Sequence, residues 1–89
     1  MRANRVLEIR ERLIAAFDPV ELEVIDDSDR HAGHEGAKDG RGHFRVKIVS
    51  PKFAGRKRIE RHRMVYDVLQ PMLKTDIHAL SVSAAAEGE

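Results

Sequence analysis

Five histidines and no cysteine define the chemistry open to this 89-residue chain. His31, His34, His43 and His78 fall in or beside segments that read as a loop and strand starts, and His62 falls within a helical pattern. Neutral imidazole is a ligand for zinc, copper, nickel and iron. His31 and His34, in HAGH, have the i, i+3 spacing that also suits stray Ni or Zn. Taken alone, a strand histidine such as His78 reads as structural, and His62 in RHRMVY reads as a packing or hydrogen-bonding residue. Without a thiolate the chain has no disulfide and no cysteine nucleophile. Ser81 and Ser83 have no visible activating base, and neither a phosphate-cradling glycine loop nor zinc-hydrolase spacing occurs. The chain reads as non-enzymatic.

A second chemical feature is the stretch 52–73, KFAGRKRIERHRMVYDVLQPML, around which the other elements are organised. Lys52, Arg56, Lys57, Arg58, Arg61 and Arg63 load its first half with positive charge, relieved only by Glu60. Ile59, Met64 or Val65, Tyr66, Leu69 and Leu73 recur at helical spacing and predict one apolar stripe. Arginine at a helix start opposes the macrodipole, so the basic end is expected to find a favourable contact. Phosphates, an acidic protein face and water are the three readings of that contact.

Those residues need a frame. Asn4 can cap a helix over roughly 5–17, with Val6, Ile9 or Leu7, Leu13, Ile14 and Phe17 on its apolar face, and Asp18-Pro19 stops it. In VELEVID, Val20, Leu22 and Val24 alternate with acids and predict a half-buried strand; HFRVKIVS, with Phe44, Val46 and Ile48, predicts a second that ends at Pro51. Between them 27–42 is polar and glycine-rich and is expected to be a mobile loop. Pro71 predicts a kink, or an end near Gln70. IHALSVS, 77–83, is a third strand, and 84–89 is expected to fray. The order α-β-β-α-β gives an α+β fold of two layers, a three-stranded mixed sheet covered by helices in one domain over 1–89. The crossover helix makes strands two and three parallel. Their starting ends then share one edge of the sheet, where His31, His34, His43 and His78 can approach one another.

With that frame in place, HFRVKIVSPKFAG, RHRMVYDVL and IHALSVSA, in this order over 20–83, resemble the BolA family of small proteins. The resemblance implies a type II KH-like sheet and a short extra helical turn over 51–54. It also implies partnership with a monothiol glutaredoxin, with a 2Fe–2S cluster shared across the heterodimer in iron homeostasis or cluster trafficking. His78 would be one ligand and a loop histidine, His31 or else His34, the other, since the chain lacks the loop cysteine of the family's other branch. Glutathione and the glutaredoxin cysteine would serve the remaining iron. Arg63 and His43 are the residues expected against the cofactor, His43 beside the ligands. Imidazole replaces thiolate on iron in Rieske centres, and such ligation weakens as pH falls through about 6.5. The family's other associated role is DNA binding and transcriptional control, for which Arg56, Lys57, Arg58, Arg61 and Arg63 are the candidates. The chain lacks the GxxG clamp of KH domains.

Composition limits the rest. With 16 basic and 15 acidic side chains the net charge is +1, so the chain as a whole is no polyanion binder. Acids Asp18, Glu21, Glu23, Asp26, Asp27 and Asp29 cluster apart from the basic stretch, a separation that could steer a partner or be two solvated faces. Phe17, Phe44, Phe53 and Tyr66 are too few for a base-stacking platform. No apolar run is long enough for a membrane span or a signal segment, and Glu8 and Glu11 speak against a mitochondrial presequence. The expected location is the cytoplasm.

Overall fold

The structure, a computed structural model, describes residues 4–27 and 42–89. The elements run α1 (Arg5–Phe17), β1 (Glu21–Asp26), β2 (Gly42–Val49), a 3-10 turn (Pro51–Phe53), α2 (Arg58–Val68), α3 (Gln70–Leu73) and β3 (Ile77–Ala85). The sheet order is β1-β2-β3, with β1 antiparallel and β3 parallel to β2. This is the mixed sheet covered by helices that the sequence pattern predicts.

Ile9, Leu13 and Phe17 recur every four residues, so they form one stripe on α1, and all three are buried. The stripe is narrower than the apolar pattern: Leu7 and Ile14 are exposed. Asn4 serves the helix through its backbone, accepting from the Glu8 N–H at 2.9 Å, and its side chain makes no capping bond. At the other end Asp18 takes the left-handed conformation, φ 44°, and its N–H donates to the Ile14 carbonyl.

Strand register builds the core in rows. Leu22, Ile48 and Ala84 lie side by side, as do Val24, Val46 and Val82, and Phe44 lies beside Leu80. These rows face the helices. The opposite face carries Glu23, Lys47 and Ser83 in one row and Ile25, Arg45 and Ser81 in the next. At the end of β2, Ser50 is wholly buried, and its Oγ donates to the Phe17 carbonyl at 2.6 Å and accepts from the Lys52 N–H at 3.2 Å. One hydroxyl thus ties the end of α1 to the 3-10 turn, over which Phe53 packs on Phe17 with ring centroids 4.9 Å apart.

The stretch 52–73 is divided much as its sequence predicts, with a 3-10 turn over Pro51–Phe53 where a short helical turn is expected and a break at Leu69, beside the end expected near Gln70. Gly55, at φ 75°, turns the chain between the 3-10 turn and α2. Leu69, at φ −95° and ψ 6°, separates α2 from α3, and Pro71 falls in the first turn of α3, where a missing N–H is harmless. Val65, Leu69 and Met72 form the buried stripe. Ile59 does not join it and is 58% exposed, because six residues before Val65 places it about 120° round the helix.

The end of the chain also departs from expectation. Residues 84 and 85 extend β3, Ala86 is 5% exposed in the core, and Glu89 is held by Arg61. Sequence reading had this as a frayed tail; the small size of three alanines conceals a strand end that packs. Within the expected loop, Asp27 and Gly42 are fixed by backbone hydrogen bonds, and the segment between them lies outside the described residues.

Candidate functional site

Between β2 and β3, Gly42 is opposite Ile77 while His43 is opposite Ala79, so His78 is an extra residue, a β-bulge. Without the bulge, period two would place Ile77 and Ala79 on the same face. With it, Ile77 turns into the core and Ala79 faces outward. His78 is left exposed at the start of the strand, its ring 5.2 Å from that of His43, centroid to centroid, and tilted by 55°. The signal for this was in the spacing of IHALSV: apolar residues at 77, 80 and 82 do not keep one alternation.

Neighbouring strands and loops hold the pair in place. The Gly42 N–H donates to the Asp76 carbonyl at 2.9 Å and the Asp27 N–H to the His43 carbonyl at 2.7 Å. Asp76 in turn pairs with Arg5 of α1 at 3.3 Å and accepts from the Thr75 hydroxyl at 2.9 Å. Asp27 pairs with Arg45 at 3.5 Å. Arg5 and Asp76 carry no signal in the sequence pattern, since their pairing joins the first residue of α1 to the residue before β3. His31 and His34 lie outside the described residues, and Asp27 and Gly42, which bracket their segment, border the His43–His78 pair. Among the described residues no group of three or more His, Cys, Asp or Glu could hold a metal ion. Any metal held here therefore needs donors from elsewhere.

The basic residues are at the other end. The Tyr66 hydroxyl donates to the Leu80 carbonyl at 2.7 Å and Arg61 Nη1 to the Ala84 carbonyl at 3.3 Å, so α2 runs against β3 with its cationic start toward Ala84. Six residues of strand, about 20 Å, separate that end from His78. Arg56, Lys57, Arg58 and Arg63 are exposed, and His62 is half-buried beside Val82 and Ala84. Arg61 is different: its side chain is 12% exposed and its guanidinium forks onto Glu89 at 2.6 and 2.7 Å. That fork and the Ala86 N–H hold the Glu89 carboxyl at about 2, below its usual 4.5. The positively charged cluster and the histidine pair lie at opposite ends of β3.

The family description "BolA-like protein" matches residues 13–89. The chain belongs to the BolA-like family. It is 51% identical over 83 residues to a Sinorhizobium sp protein from the cobS 5′ region, covering 91% of this chain and 89% of that one. The Escherichia coli protein named DNA-binding transcriptional regulator BolA is 46% identical over 74 residues, covering 83% and 68%. The solved BolA domain of SufE1 from Arabidopsis thaliana superposes with a TM-score of 0.84 at 46% identity, covering 96% and 94%. The chain spans 24% of the whole Arabidopsis SufE-like protein 1 and 56% of Arabidopsis BOLA1. Among the described residues no helix is long and apolar enough to cross a membrane.

Proposed function

We propose that this BolA-like chain is the histidine-donating partner of a monothiol glutaredoxin in the cytoplasm. In this reading it co-ligates a shared 2Fe–2S cluster through His78 and a loop histidine, His31 or His34, and serves iron homeostasis or cluster trafficking. The glutaredoxin cysteine and glutathione supply the thiolates that this chain lacks. The observation that carries the reading is the bulge at His78. It exposes an imidazole beside the two strand ends that bracket the histidine loop, which is where a partner's cluster could reach it. A bulge next to a functional site commonly serves to re-aim one side chain. The cluster would bring redox chemistry; the chain's part is to present neutral nitrogen donors on a rigid sheet end.

The test is visible absorption and circular dichroism while the protein is titrated into glutathione-loaded 2Fe–2S monothiol glutaredoxin. A spectral change saturating at one equivalent, and lost in His78→Ala, is the expected result. An unchanged spectrum would end this reading.

A second reading, a DNA-binding regulator, is favoured by the name of the Escherichia coli relative and by four exposed cations, Arg56, Lys57, Arg58 and Arg63, on and before α2. It requires an affinity that falls steeply with salt. Reversing Arg56, Lys57 and Arg58 to Glu should abolish it, and no binding of the unaltered chain to duplex DNA at low salt would exclude it.

A further inference from the structure

Arg61 is built into the fold, whereas its basic neighbours are exposed. Its Nε donates to the Arg56 carbonyl at 3.0 Å and its Nη1 to the Ala84 carbonyl at 3.3 Å. One acceptor belongs to the turn before α2 and the other to β3, so the guanidinium plane is held from two sides. Its outer edge is presented as a fixed fork. A planar fork already held by other bonds loses little freedom on binding a carboxylate or phosphate, which makes it a better receptor than a free surface arginine. Arg56, Arg58 and His62 line the groove beside it.

In this chain the fork holds the Glu89 carboxylate. Oε1 lies 2.6 Å from Nη1 and Oε2 lies 2.7 Å from Nη2, a two-point match. The same carboxylate accepts from the Ala86 N–H at 3.2 Å, and the Glu89 N–H returns to the Ala86 carbonyl at 3.1 Å. Residues 86–89 thus close into one turn, with Gly88 at φ 91°. We propose that Arg61 is the centre of an oxyanion-binding site and that Glu89 is its built-in occupant, displaced by an incoming carboxylate or phosphate group. The site lies at the far end of β3 from His78 and does not depend on the cluster reading.

The occupant is suited to displacement. Glu87, Gly88 and Glu89 are exposed, so Glu89 can leave the fork while Ala86 keeps its place in the core, and an ion pair near the surface contributes little by itself. Tethering supplies the competition: a group on so short a linker acts at an effective concentration on the order of millimolar. Because Glu89 stays ionised at neutral pH, the site is gated by competition and not by protonation.

The test follows the Arg61 Nε–Hε resonance by NMR during titration with inorganic phosphate and, separately, glutarate. It compares the unaltered chain with Glu89→Gln and with Glu89→Ala. Both altered chains should show saturable shifts at Arg61, at concentrations about tenfold lower than the unaltered chain. Saturation by both anions would assign general oxyanion recognition, and by one alone would assign that group. Shifts at Arg61 that are linear, equal in all three chains and no larger than those at Arg63 would overturn the proposal.

Discussion

His43 and His78 face each other across two parallel strands with ring centroids 5.2 Å apart, yet only His78 is the bulged residue. His43 is opposite Ala79 in regular register and is partly covered, whereas His78 is exposed. The two substitutions should therefore differ. With the glutaredoxin, His78→Ala should return the spectrum to that of the glutaredoxin homodimer. On the proposed reading, His43→Ala should keep a mixed cluster with shifted bands, because only the ring beside the proposed ligand is lost. Equal loss in both variants would make His43 a ligand in its own right.

Ser50 joins three elements through a single buried hydroxyl. Its replacement by alanine leaves the Phe17 carbonyl and the Lys52 N–H short of a partner. The expected cost is about 1–3 kcal/mol, read as a lower midpoint in urea unfolding with an unchanged slope.

Phe53 and Ile59 are apolar residues close together in sequence with opposite surroundings, at 0% and 58% exposure. Phe53→Ala should cost about 3–5 kcal/mol, a large part of the total for a domain of this size. Ile59→Ala should stay within about 0.5 kcal/mol. Parallel denaturation curves of the two variants decide this.

The Arg61–Glu89 pair sets a pH dependence with a definite sign. The folded carboxyl is held at about 2, below its usual 4.5, so the pair contributes fully above the unfolded value and is lost as pH falls through about 2. The Glu89 side-chain carbon and Arg61 Nε–Hε resonances should move together at that low pH and remain constant above it. In Arg61→Gln the Glu89 carboxyl should rise from about 2 toward its usual 4.5, with only the Ala86 N–H still lowering it.

Much of this fold is legible from alternation. Leu22, Val24, Phe44, Val46 and Ile48 keep period two without interruption, and the crossover fixed the parallel pairing of β2 and β3. What escaped involves residues whose roles are set by distant neighbours. Ile59 fits a helical stripe by count but falls on the wrong side of the later residues. Ala86 is small enough to look like tail, and becomes core because β3 runs on to Ala85, whose carbonyl accepts from the Ser50 N–H. The bulge at His78 was visible as a broken alternation, but its effect, one histidine placed beside another, required the register. The loop histidines rest on sequence alone.

Tyr66 and Arg61 also govern how far the sheet can grow. β3 is a margin strand, and a margin with open carbonyls invites another chain to add to it. The Leu80 and Ala84 carbonyls already accept from these two side chains, so a fourth strand would have to compete with both bonds. At the opposite margin β1 carries Glu21, Glu23 and Asp26, which repel a second copy of themselves. Two side chains of α2 on one margin and the acids of β1 on the other thus work against edge-to-edge assembly of the sheet.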